Sequence, residues 1–203
     1  ATLVLRIEDT DAERSKPEYE KNIIDGLKWL GIEFDESPFK PLNTMNYRQS
    51  ERIKSNSYQP YVNQLLKSGN AYYCFESDEE LAEERALADE QGIPYMYSRK
   101  SLSLSTEEVN SRLNNGDKYV IRYKVPSNKI ITVNDEIRGQ IDFESSLISD
   151  FIIVKSDGLP TYNFAVVVDD IEMGISHVVR GEDHISNTPK QIMIFNALNV
   201  VVP

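Results

Sequence analysis

Between residues 118 and 154 the chain changes its strand pattern, and this change restricts the possible folds more than any other feature. Residues 118–125, 130–133, 137–143 and 151–154 are short alternating runs separated by turn residues, the pattern of antiparallel strands with one face covered. The two ends of the chain read differently. Residues 2–7 (Thr-Leu-Val-Leu-Arg-Ile) form the near-continuous apolar run that a parallel sheet buries on both faces, followed by an acidic turn and an amphipathic helix. Residues 178–191 read as a strand end at Val178 and Val179, a charged turn made possible by Gly181, and a helix start. A strand–helix start and a strand–helix finish around an antiparallel middle is the layout of an insertion inside a doubly wound α/β domain.

Local signals fill in the elements. Ser15-Lys-Pro-Glu18 has capping-box spacing, and the helix it opens carries Tyr19, Ile23, Leu27 and Leu30 as its apolar stripe, with Gly31 as the stop. Residues 47–68 are helical in pattern, with a break or kink expected at Pro60. A strand follows at 71–75. Ser77-Asp-Glu-Glu80 and Ser105-Thr-Glu-Glu108 are further capping boxes, the first opening a very acidic helix to about Glu90 and the second a short helix ending at Asn114-Asn115-Gly116. Thr188 reads as an N-cap, with Pro189 at the first helical position and Gln191 closing a box. On local propensity, the β-branched run 162–168 reads as a strand.

Composition excludes several classes. With 203 residues, 40% hydrophobic and 27% charged, the chain is an ordinary globular sequence with enough apolar material for a core. No apolar run approaches the roughly 20 residues of a membrane span, and no secretory signal is visible. A single cysteine, Cys74, rules out an internal disulfide and fits a reducing, cytoplasmic setting. Two histidines and one cysteine are too few for a tetrahedral centre of the usual N/S kind. The net charge of −11 argues against broad phosphate-driven nucleic-acid binding while leaving a local basic face open.

Few side chains stand out as chemistry. Glu8, at a strand exit, is placed to meet an ammonium group; alternatively Glu8, Asp9, Thr10 and Asp11 cap the following loop through backbone bonds. Arg180 has the planar fork that grips a carboxylate, against the commoner role of a surface ion pair. Tyr162 offers a hydroxyl, or is a half-buried aromatic with a polar tip. His184 beside Asp183 suggests an acid–base pair, but no serine or cysteine nucleophile accompanies it, so a hydrolytic triad is rejected. Asp169-Asp170 is too common a step to claim as a cation site. Neither a Walker A loop nor a Gly-x-Gly-x-x-Gly fingerprint occurs.

Taken in order, several stretches resemble the bacterial-type glutamyl-tRNA synthetases of aminoacyl-tRNA synthetase class I. They are Leu5-Arg-Ile-Glu-Asp-Thr-Asp11 with Glu13-Arg14-Ser15, Gly26-Leu-Lys-Trp-Leu-Gly31, Tyr47-Arg-Gln-Ser-Glu-Arg52, Lys155-Ser-Asp-Gly-Leu-Pro-Thr-Tyr-Asn-Phe-Ala165, Val167-Val-Asp-Asp170 and Arg180-Gly-Glu-Asp-His-Ile-Ser-Asn-Thr-Pro189. The resemblance implies an α/β, Rossmann-type catalytic domain interrupted by a mixed α+β connective insertion. Its parts would be residues 1–47 and 160–203 for the catalytic domain and 48–159 for the insertion that holds the tRNA acceptor end. It also implies that 162–168 is helical.

By position, the resemblance implies that Glu8 binds the ammonium of L-glutamate and that Tyr162, Val166 and Arg180 line the amino-acid pocket, with Arg180 facing a carboxylate. Asp183 would lie by the ATP, which arrives with Mg2+, and Arg14 near the tRNA acceptor strand. The implied activity is glutamate–tRNA ligation in protein synthesis, without a protein nucleophile, by a cytoplasmic monomer. The family's His-Ile-Gly-His motif belongs before Ala1 and its Lys-Met-Ser-Lys-Ser loop after Pro203. The chain therefore reads as a fragment expected not to form glutamyl-adenylate alone. Some relatives carry a zinc-binding Cys-x-Cys where this chain reads Cys74-Phe75-Glu76, with no second pair near Tyr97 to Ser101, so no zinc is expected. Two other readings stay open: a non-catalytic tRNA-acceptor or partner-binding module, and a glutamyl-queuosine-type tRNA-modifying synthetase.

Overall fold

The computed structural model describes residues 2–10, 15–42 and 45–203. Arg14, the expected tRNA contact, and Asp11 lie outside the described residues. The chain divides into two compact units, residues 1–60 and 61–203.

In the first unit the N-terminal run is extended and makes parallel pairings on two sides, Val4 with Glu36 and Ile7 with Arg48. Leu5 N donates to Glu36 O at 2.9 Å, Ile7 N to Tyr47 O at 2.8 Å, and Gln49 N to Ile7 O at 3.0 Å. The parallel pairing is as expected, but its contacts are isolated bridges, and Leu3 is 46% exposed rather than covered on both faces. Helix α1 (Pro17–Trp29) starts one residue later than the sequence suggests. Its N-cap is Lys16 and no side chain caps it, because Pro17, lacking an N–H and fixed in φ, takes the first helical position. The expected stripe is also turned: Tyr19, Ile23 and Leu30 are exposed, while Glu20, Ile24 and Leu27 are half-buried. Arg48 explains the rotation, reaching Glu20 at 2.8 Å and Glu51 at 2.9 Å and so holding the Glu20 face inward.

Helix α2 (Gln49–Lys54) begins where Asp9 accepts from both the backbone N (2.8 Å) and the hydroxyl (2.6 Å) of Ser50. Asp9 thus meets the start of a distant helix rather than capping the loop that follows it. The long helical pattern of 47–68 is split, but before the proline. Asn56 adopts a left-handed φ of 57°, and Pro60 sits in the first turn of α3 (Gln59–Lys67), where its missing N–H costs nothing.

The second unit contains the antiparallel patch. Strand β1 (Ala71–Cys74) pairs with β2 (Val120–Tyr123), which pairs on its other side with β5 (Phe151–Val154); β3 (Ile130–Asp135) and β4 (Gly139–Glu144) form a separate hairpin. Both capping boxes form as read, opening α4 (Asp78–Glu90) at Ser77 and α5 (Thr106–Asn115) at Ser105, and α5 ends on left-handed Gly116. After β5, a turn with Gly158 at φ 81° returns the chain, and Thr161 Oγ1 donates to Ile152 O at 2.8 Å at the entry to α6 (Tyr162–Glu172).

The strand expected from the β-branched run 162–168 is overturned; the helix implied by the resemblance is what forms. Every residue from Phe164 to Asp170 is buried, so the helix is covered all round and packing overrides β propensity. The strand expected to end at Val179 is likewise absent among the described residues: 175–180 are irregular, with Val179 94% exposed and no strand beside it. The last helix, α7 (Thr188–Ala197), packs against α6 and buries Met193, Ile194 and Phe195, and Tyr123 Oη donates to Met193 O at 2.8 Å, tying the sheet to it.

Candidate substrate-binding site

In the second unit the start of α6, the loop from Arg180 and the start of α7 meet. A 3-10 turn (Glu182–Asn187) leads into α7, whose first residue is Thr188. The expected capping box is not formed: Thr188 lies inside the helix, the N-cap is Asn187, and neither side chain caps. The reason is Arg180, which takes the oxygens that a cap would have used. Its Nη1 donates to Gln191 Oε1 at 2.7 Å and its Nη2 to Thr188 Oγ1. Gln191, 6% exposed, passes the network on, its Nε2 donating to Asn163 Oδ1 at 3.1 Å. Asn163 Nδ2 approaches Asn187 Oδ1 at 3.4 Å.

The acids beside Arg180 in sequence are directed elsewhere. Glu182 pairs with Arg138 at the tip of the β3–β4 hairpin. Asp183 Oδ2 lies 3.6 Å from His184 Nε2, with its side chain 80% exposed. Gly181 has φ −65° and ψ 157°, a conformation open to any residue, so backbone freedom is not what the position needs. A Cβ there would lie 2.4 Å from Asp183 Oδ1, the far end of an exposed side chain, so an added side chain displaces that carboxylate rather than the backbone.

Tyr162 opens α6, is 42% exposed, and has its hydroxyl 3.5 Å from His184 Nδ1. Val166 follows one turn later and is 7% exposed. The structure therefore gathers Tyr162, Arg180, Asp183 and His184 around one loop, with Val166 on the Tyr162 side of α6. Glu8 belongs to the first unit, where its carboxylate meets Arg6 at 3.0 Å and its side chain is 38% exposed. Asn163, Thr188 and Gln191 were missed as site residues. The sequence signal was weak: Gln191 stands between Lys190 and the apolar run Ile192-Met-Ile-Phe195, and only its burial in the fold calls for a polar partner.

A second polar cluster surrounds Cys74, the position at which the resemblance raises the question of zinc. Cys74 Sγ lies 2.8 Å from Glu76 Oε2 and 3.2 Å from Tyr97 Oη, and Tyr97 and Ser101 both donate to the Glu76 carboxylate at 2.9 Å. Arg122 Nε donates to the same sulfur at 3.3 Å and its guanidinium covers the Tyr97 ring at 4.1 Å. Burial pushes the Cys74 thiol up. One neutral thiol, one carboxylate and two hydroxyls with a buried cation against them do not fit Zn2+, which needs several thiolate or imidazole ligands and no competing positive charge. Among the described residues no group of three or more His, Cys, Asp or Glu side chains is disposed to hold a metal, and no helix is long and apolar enough to cross a membrane.

Comparison with known proteins identifies the family. The sequence profile of tRNA synthetases class I (E and Q), catalytic domain, matches residues 1–203. A glutamate–tRNA ligase from Sulfurihydrogenibium sp. (strain YO3AOP1) is 52% identical over 203 residues, covering 100% of this chain and 42% of the relative. One from Aquifex aeolicus (strain VF5) is 54% identical over 200 residues, covering 98% and 40%. Among solved structures, a glutamate tRNA ligase from Elizabethkingia meningosepticum, crystallised in complex with its amino acid, superposes with a TM-score of 0.92 at 39% identity, covering 98% of this chain and 41% of that one. The chain thus spans about two fifths of the length of the relatives it matches. Its fold is that of the Rossmann-type class I catalytic region, and the chain belongs to the family of class I tRNA synthetases (E and Q), catalytic domain.

Proposed function

We propose that the chain is the catalytic-region portion of a glutamate–tRNA ligase, with residues 48–159 as the connective insertion that receives the tRNA acceptor end. The observation that carries this reading is Arg180: a guanidinium beside a polar loop, tethered among the described residues to the neutral oxygens of Gln191 and Thr188 and so able to receive a substrate carboxylate. Relatives about half identical over the whole chain support the choice of amino acid.

In this reading Glu8 pairs with the ammonium of L-glutamate, Tyr162 and Val166 form the wall of its pocket, Arg180 holds a carboxylate, Asp183 lies by the ATP and Arg14 by the tRNA. The α-carboxylate of glutamate attacks the α-phosphate of ATP in line, the bond to pyrophosphate breaks, and glutamyl-adenylate results. A ribose hydroxyl of the terminal adenosine of the tRNA then takes the glutamyl group and releases AMP. Neither step requires a protein nucleophile, in keeping with the absence of a triad at His184. The chain's residues act by positioning and by charge. Mg2+ enters with ATP as part of that substrate, and no step is routed through a protein-held ion.

The test is glutamate-dependent exchange of pyrophosphate into ATP by the full-length protein that carries this chain, followed by charging of tRNA. Exchange supported by L-glutamate and lost in Arg180→Ala is expected. Exchange with another amino acid in place of glutamate overturns the reading.

A further inference from the structure

The way Arg180 is held has a consequence beyond the identity of its ligand. Arginine only donates, so Gln191 must face it with its amide oxygen, and this fixes the rest of the chain. The Gln191 NH2 must then donate onward to Asn163 Oδ1, at 3.1 Å, and the Asn163 NH2 is turned toward Asn187 Oδ1. Every acceptor in this relay is uncharged. Of the two carboxylates that follow Arg180 closely in sequence, Glu182 pairs with Arg138, and Asp183 is 80% exposed, 3.6 Å from His184. Among the described residues no carboxylate pairs with Arg180, in a chain where acids outnumber Lys and Arg by 33 to 22.

We infer that Gln191 is a positioning residue for Arg180, fixing the guanidinium through a neutral amide oxygen, with Asn163 and Thr188 as its supports, so that the full positive charge is kept for the incoming carboxylate of L-glutamate. The inference rests on the reading of the site given above. Two of the guanidinium's N–H groups are spent on orientation, and among the described residues no bond takes up the remaining donors. Burial of the Gln191 amide locks the geometry before the ligand arrives, so little ordering is left to be done on binding. A carboxylate at position 191 would hold the fork equally well but would satisfy it electrostatically, leaving nothing to attract a second anion.

Two variants of the full-length protein separate this role from a purely structural one. Gln191→Glu keeps the size and the acceptor oxygen but adds a charge; Gln191→Met removes the acceptor and adds none. If Gln191 mattered only as a packing or hydrogen-bonding residue, Glu would be the milder change. The expected order is the opposite: Gln191→Glu raises the KM for L-glutamate by about tenfold or more, Gln191→Met by about threefold, and the KM for ATP stays within about twofold in both. Thermal melts of both variants report folding independently. A Gln191→Glu protein that melts as the wild type and keeps its glutamate KM overturns the inference while leaving the proposed function standing. A wild-type protein with no saturable binding of L-glutamate overturns the function, and the inference falls with it.

Discussion

Arg99 donates to the carboxylate of Asp150 at 2.7 Å, and the Asp150 side chain is fully enclosed while that of Arg99 is 32% exposed. The same carboxylate accepts from Tyr72 Oη at 2.7 Å and from Val125 N at 2.8 Å. One acid therefore joins β1, the segment after β2 and the loop before the 3-10 turn at Lys100–Ser103. Burial, and then the Asp150 carboxylate, push the Tyr72 hydroxyl above its ordinary range, so it remains a donor. Asp150→Ala strands these donors in the interior and is expected to cost about 3–5 kcal/mol, with Asp150→Asn milder because one oxygen is kept. Urea denaturation of both variants measures this. A loss below about 1 kcal/mol for Asp150→Ala would mean that water replaces the carboxylate.

Tyr123 connects the sheet to α7 through a single bond to Met193 O, and burial pushes its hydroxyl up to about 12. Tyr123→Phe keeps the ring and its stacking on Phe151, with centroids 5.1 Å apart, and removes only the donor. The expected loss is about 1 kcal/mol, read as a lower midpoint with an unchanged denaturant slope.

Glu76 makes stability depend on pH. Burial alone would raise its carboxyl, but hydrogen bonds from Cys74, the backbone, Tyr97 and Ser101 together hold it below its ordinary 4.5. A depressed folded-state value means that the unfolded chain takes up the proton first as pH falls. The contribution is complete above pH 4.5 and is lost as pH drops through the lower folded value. Melting temperatures of wild type and Glu76→Gln should differ at neutral pH and converge as the pH falls below 4.5 and through the lower folded-state value. A constant gap across that range would assign the stabilisation to shape rather than charge.

What the sequence revealed follows from how local each signal is. The capping boxes at Ser77 and Ser105 were legible because a serine and a glutamate three residues apart satisfy each other's backbone groups without outside help. The same grammar failed at Thr188 and Gln191, because Arg180, eight and eleven residues upstream, claims both side chains. The β-branched run in α6 misled for a similar reason: propensity is local, whereas the burial that overrides it comes from the whole unit. Arg180 itself was legible as a cation at a turn. The neutral relay behind it was not, since nothing in Asn163 or Gln191 alone names its partner.

Gly181 illustrates the last of these limits and yields a separable prediction. Sequence grammar assigns the glycine to backbone freedom, yet its φ of −65° suits alanine, and the obstacle to a side chain is Asp183 Oδ1 at 2.4 Å from the added Cβ. Because the Asp183 side chain is 80% exposed, its carboxylate can swing away at little cost. Gly181→Ala should therefore fold as well as the wild type, within about 0.5 kcal/mol, helped by the smaller conformational freedom of its unfolded chain. The displaced carboxylate should nonetheless register in the function proposed for Asp183. In pyrophosphate exchange by the full-length protein, the KM for ATP is expected to rise about threefold to tenfold while the KM for L-glutamate holds. A variant with a wild-type melting temperature and a wild-type ATP KM would detach Asp183 from the nucleotide and return it to the surface of the loop.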